Sequence, residues 1–203
     1  MRILTREPPQ QEQMRAQRES LGLLLKVVAE HTPGILEHLN RVGRLARSTA
    51  QALGLSEDEV ECVEIAARLH DVGKLAIPDS ILDKPGELDA REWVIMRTHA
   101  EVGERMLLAA PSLADAAELV RAHHERFDGR GYPDRLAGDA IPLGARIISV
   151  CAAFAAMMRN RPFSDAITVE EALDELGRCA GGQFDPLVVE AFQQLIRRAT
   201  AQS

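Results

Sequence analysis

Five of the six histidines in this chain fall on the apolar side of segments with helical spacing, and that arrangement limits the folds open to it. His38 shares a face with Ile35, Val42 and Leu45, and His70 shares one with Val63 and Ala66. His99 lies with Ile95, Val102 and Met106, His123 with Ala116 and Leu119, and His124 with Ala117 and Val120. A single inward imidazole is readily satisfied by a backbone carbonyl. Five of them in one helical core, without a shared partner, would leave several polar groups unpaired at about 1 to 3 kcal/mol each. A divalent cation removes that difficulty, because imidazole nitrogens supply the lone pairs that it needs. Asp71, adjacent to His70, adds a carboxylate able to bridge two cations roughly 3.5 to 4 Å apart in a hydrolytic site.

The segments carrying these histidines are all helical in period. Leu21, Leu24, Leu25 and Val28 mark one face of an N-terminal helix that Thr32-Pro33-Gly34 breaks. The spacing predicts helices over 35–53, from a Ser56/Glu59 capping box to His70, from an Asp89/Glu92 box to about Leu108, and from Pro111 to about Glu125. Leu143 to Met158 is a very apolar helix, a Thr168/Glu171 box opens another, and a last amphipathic helix starts near Asp185-Pro186. Gly73 to Leu88 and Phe127 to Pro142 read as loops, the second long enough to be functional. No run alternates with the period of a strand. The expectation is an all-α protein: a helical lead or linker over residues 1–33, then one domain of about seven helices over 34–203.

Charge narrows the function. Lys and Arg number 24 against 31 Asp and Glu, a net charge of −7, which argues against binding a nucleic-acid polymer or an anionic membrane surface. No apolar run is long enough for a membrane span and the N-terminus lacks a secretory pattern, so a cytoplasmic location without membrane insertion is expected. Cys62, Cys151 and Cys179, odd in number and far apart, suit reduced thiols. Any anionic ligand has to be held locally, and Lys74, one of only three lysines beside 21 arginines, sits next to the proposed metal where an ammonium could hold a phosphate.

These residues also carry a resemblance. His70-Asp71-Val72-Gly73-Lys74 resembles the HDxGK signature of the HD phosphohydrolase superfamily. His123-His124-Glu125-Arg126-Phe127-Asp128-Gly129-Arg130-Gly131-Tyr132-Pro133 resembles, without a gap, the HHExxDGxGYP run of its HD-GYP branch. Arg146-Ile147-Ile148, Ala156-Met157, Arg161-Pro162-Phe163 and Gly182-Gln183-Phe184-Asp185-Pro186 are similar to further stretches of that branch, so the resemblance runs over roughly residues 34 to 196. It implies an all-helical HD domain with a metal centre that hydrolyses cyclic di-GMP in second-messenger signalling. His38, His70, Asp71, His99, His123 and His124 would be its metal ligands. Asp71 and Lys74 would be its catalytic residues, and Lys74, Arg161, Gly131, Tyr132 and Pro133 its substrate contacts. A His-rich shell with one carboxylate suits Fe, Mn, Co, Ni or Zn, at one or two ions per chain.

The chain also departs from that pattern. The branch's last metal-ligand Asp aligns with Ala152 and a second Asp with Ala155; Ser164 replaces a basic residue, and Gly34 stands where some members have a Glu that serves a third metal. Ala152 falls on the inward face with Ala145 and Ile148, while Cys151, a quarter turn away, could replace the lost ligand only through a local shift of the helix. Three readings stay open: a phosphodiesterase impaired by the missing carboxylate, an enzyme for another phosphorylated nucleotide, and a degenerate module. The last would bind nucleotide, or a signalling-protein partner through the Asp128–Pro133 loop, without turnover. The apolar face at Leu21 and Val28 could pack on the domain or pair with a second copy as a homodimer.

Overall fold

The computed structural model describes residues 9–159 and 166–201. The helices are α1 (Pro9–His31), α2 (Ile35–Ala52), α3 (Glu57–Leu69), α4 (Asp79–Leu82), α5 (Ala90–Arg97), α6 (His99–Leu108), α7 (Ala117–Ala122), α8 (Leu143–Met157), α9 (Val169–Arg178) and α10 (Pro186–Thr200). Short 3-10 turns cover Val72–Ala76, Pro111–Ala116 and Gly138–Ala140. There is no strand among the described residues, only an isolated bridge between Ala180 and Phe184. None of the helices is long and apolar enough to cross a membrane.

Local chemistry sets most boundaries. Ser56, Asp89 and Thr168 each accept from an amide three residues on, and Glu59, Glu92 and Glu171 return the bond to the cap's own amide, so α3, α5 and α9 open on complete capping boxes. Asp185 caps α10 through the Leu187 amide, with Pro186 at the first helical position. The core forms around α8, whose Ala145, Ile147, Ile148, Val150 and Cys151 are fully buried, with α2, α3, α7, α9 and α10 packed about it. Arg146 of α8 joins the C-terminal part to this centre by donating to Asp185 (2.6 Å) and to the Ile141 carbonyl (2.9 Å).

The face expected on α1 is used within the chain: Leu21, Leu25 and Val28 are buried in the main core, each contributing roughly 1.5–3 kcal/mol, and Leu24 is partly buried against it.

Two expected helices are broken, which yields more segments than the seven expected. The run from Asp89 to Leu108 divides at Thr98 into α5 and α6, and Ile95, assigned by spacing to the inward face of His99, is 41% exposed. The run from Pro111 to Glu125 begins as a 3-10 turn and becomes α-helical only over α7. The loop after His70 is also more ordered than expected, holding the Val72–Ala76 turn and α4.

Candidate metal centre and its pocket

His70, His99 and His123 occupy equivalent positions, each just beyond the C-terminal end of a helix. His70 is the C-cap of α3, His123 is the C-cap of α7, and His99 follows the end of α5 by two residues. Helix ends leave carbonyls without amide partners, and each histidine turns Nδ1 onto the carbonyl three residues back: Ala67 at 2.7 Å, Met96 at 2.7 Å and Val120 at 2.6 Å. A carbonyl can only accept, so Nδ1 carries the proton and Nε2 keeps its lone pair. The break at Thr98 has its function here, since an unbroken helix would have used the Met96 carbonyl in its own ladder.

The lone pairs converge. Ligand atoms of Asp71, His99, His123 and His124 all lie within 4.8 Å of one another. Nε2 of His99 and Nε2 of His123 are buried with no hydrogen-bond partner, the orphaned state that a cation would relieve. Asp71 presents its two oxygens to different sides: Oδ1 lies 3.6 Å from His99 Nε2, and Oδ2 lies 3.4 Å from His70 Nε2. His38, half-buried, stands beyond His70 with ring centroids 6.4 Å apart. The donor set therefore fits a transition-metal ion.

Electrostatics keep the ligands in the form that binds metal. Burial pushes the His124 imidazole down to about 3, holds His123 well below its usual range, and lowers His99. Burial acts to raise the Asp71 carboxyl, but the neighbouring positive charge, that of Lys74 foremost, outweighs it and keeps it well below the usual carboxylate range. Lys74, expected to contact a phosphate, lies beside Asp71 and lines the pocket that the cluster opens into. Its ammonium donates to Asp71 Oδ2 at 2.8 Å, and with three N–H donors it can meet a phosphate while keeping that bond.

A pH dependence follows for protein freed of metal by a chelator. His123 and His124 stay neutral in the folded protein, His99 is shifted in the same direction, and all three titrate near 6.5 when unfolded, so below about pH 6.5 the unfolded chain binds more protons. Stability is expected to fall as pH drops from about 6.5 towards 4.5, by up to about 1.4 kcal/mol per pH unit for each histidine. Thermal melts across that range check the sign. A midpoint that rises on acidification would contradict the neutral assignment.

The cluster opens into a pocket of about 600 Å³ whose lining includes His38, Lys74, Trp93, Arg97, Tyr132 and Ala152. Ala152 thus faces the site as expected, whereas Cys151 is turned into the core against Thr49 at 3.7 Å, where burial raises its thiol to about 12. It cannot stand in for a ligand without moving the helix. Arg161 and Ser164 lie outside the described residues.

Gly131 lets the Tyr132 loop approach the histidine pair, since a Cβ there would collide with the Arg126 amide nitrogen and lie 2.6 Å from the His124 carbonyl oxygen. Tyr132 stacks on His124, with centroids 4.8 Å apart and planes at 22°. Pro133 follows it through a cis peptide bond. The loop is held from behind by two residues that helical spacing did not reveal. Buried Glu125 accepts from the Asp134 amide at 2.6 Å, and Arg121 grips the Asp134 carboxylate at 2.6 and 2.8 Å while also donating to Glu104. Glu125 was visible as a letter of the motif; Arg121 left no signal. Because Tyr132 contributes a stacked face, Tyr132→Phe is expected to leave bound metal unchanged by elemental analysis, and loss of metal would make the phenol a ligand.

Fold and site together define an all-helical protein in which helix ends present histidines and an aspartate to one buried point. A family model described as "HD domain" matches residues 22–188, and the chain belongs to the HD domain family, with the His123–Pro133 run of its HD-GYP branch. It is 42% identical over 177 residues to the cyclic di-GMP phosphodiesterase response regulator RpfG of Xanthomonas campestris, covering 86% of this chain and 47% of that protein. It is 43% identical over 155 residues to 3'3'-cGAMP-specific phosphodiesterase 2 of Vibrio cholerae, covering 75% and 30%. Among solved structures it resembles the cyclic GMP-AMP specific phosphodiesterase V-cGAP3 of V. cholerae, with a TM-score of 0.64 at 23% identity over 90% of this chain and 48% of that one. The chain spans about half or less of the length of these relatives.

Proposed function

We propose that this chain is a metal-dependent phosphodiesterase that hydrolyses a cyclic dinucleotide. The observation that supports it most is the pair of buried, unpartnered Nε2 atoms beside a carboxylate whose two oxygens face different histidines. His99, His123 and His124 with Asp71 Oδ1 would hold one ion, and His70 and His38 with Asp71 Oδ2 a second. Such ions supply water of lowered pKa and offset charge on phosphoryl oxygens. The protein's own part is positional. The Nδ1 bonds fix the rings, Lys74 meets the phosphate with the donors that Asp71 does not use, and Tyr132 and Arg97 wall the pocket around the ligand. The cyclic dinucleotide is the class named for the relatives above, and the pocket lies within the usual 300–1,000 Å³ of small-molecule sites. Iron, manganese, cobalt, nickel or zinc suits the donors.

The test pairs metal analysis of protein purified without chelator with hydrolysis of cyclic di-GMP and 3'3'-cGAMP. Metal-loaded protein that turns over neither defeats the proposal. Ala152→Asp reads the departure directly, because position 152 lines the pocket and a carboxylate there would meet the cluster. Metal content is expected to rise towards two per chain and turnover to rise at least about tenfold. A variant that folds and fills both sites without gaining rate favours a module that binds through the Tyr132 loop and does not turn over.

A further inference from the structure

Resting on the phosphodiesterase reading, we propose that Trp93 and Arg97 form a nucleobase subsite that stacks a purine and selects guanine. Helix α5, which carries both, buries none of its residues, and Trp93, the only tryptophan in the chain, is 45% exposed in the pocket wall with Leu88 and Met96 nearby. An aromatic ring of that size left open in a pocket wall is a surface for a flat ligand. One helical turn on, the Arg97 guanidinium carbon lies 5.9 Å from the Trp93 ring centroid and 5.3 Å from that of Tyr132. Tyr132 in turn stacks on His124. A continuous ladder of π faces and one cation therefore runs from the exposed Trp93 edge to the histidine cluster.

The ladder matches the two chemistries of a cyclic dinucleotide. Its inner end is the metal cluster, suited to a phosphodiester, and its outer end offers what a base needs. Stacking on tryptophan tolerates any base. The guanidinium adds selectivity, because its paired N–H donors fit O6 and N7 of guanine, whereas adenine places an amino donor at the O6 position. Arg97 makes no ion pair among the described residues, so its donors are not committed to a carboxylate. No spacing argument in the sequence marked either residue, since neither lies on an inward helix face.

The single tryptophan is its own probe. Cyclic di-GMP is expected to quench the fluorescence of Trp93 in the wild type, and Arg97→Met to weaken that binding about tenfold for cyclic di-GMP and little for cyclic di-AMP. Trp93→Ala is expected to raise KM for cyclic di-GMP about tenfold or more, with kcat and metal content held, and Trp93→Phe to recover most of the loss. An unchanged KM in Trp93→Ala, with the wild type turning over, overturns the subsite and leaves the phosphodiesterase reading standing. Quenching that depends on Arg97 in a wild type without turnover does the reverse. A wild type with neither quenching nor turnover overturns both.

Discussion

Replacing Gly73 by alanine is expected to destabilise the protein by about 3 kcal/mol or more, lowering the thermal midpoint by roughly 6–12 °C, and to disconnect His99 from Asp71. Gly73 lies in the 3-10 turn after Asp71, and a Cβ there would collide with the carbonyl oxygen of His99 and sit 2.6 Å from the Gly103 amide nitrogen. Those obstacles are backbone, so no rotamer change relieves them. Either the turn carrying Asp71 backs away or α6 does, and both movements open the cluster. Calorimetry and metal analysis on the same preparation check the result. A variant with wild-type melting and full metal content would show that the two backbones are not in contact.

Asp71→Asn is expected to leave the fold intact and to reduce cyclic-dinucleotide hydrolysis at least about a thousandfold, near 4 kcal/mol of transition-state stabilisation. The amide is the same size, so the buried site does not collapse. It offers one neutral oxygen where the carboxylate faces His99 on one side and His70 and Lys74 on the other. Losing the charge removes the partner of Lys74 together with a ligand common to both proposed ions. Residual hydrolysis within tenfold of the wild type, in protein of verified metal content, would remove Asp71 from the machinery.

The helices opened by capping boxes, and the inward sides of α2, α3 and α8, were legible because cap chemistry and 3.6-residue spacing are local. The break at Thr98 was not. Ile95, Val102 and Met106 keep phase across it, and nothing in their spacing shows that the Met96 carbonyl is diverted to an imidazole. The bond from Lys74 to Asp71 was not legible, because it depends on how the turn folds back. The importance of Gly73 could be read only as a letter of a motif; its reason is the His99 backbone, 26 positions away in the chain. Trp93 and Arg97 escaped because they sit on a helix that contributes no buried residue, where apolar periodicity carries no information.

The Nδ1 contacts of His70, His99 and His123 bear on how such a centre can change over evolutionary time. Orienting groups for metal-bound histidines are often side chains, which a single codon change can delete. Here all three are main-chain carbonyls, which every amino acid possesses. Mutation can therefore replace a ligand side chain while the remaining imidazoles stay aimed. The part of such a centre that would be hardest to rebuild is not encoded in side chains.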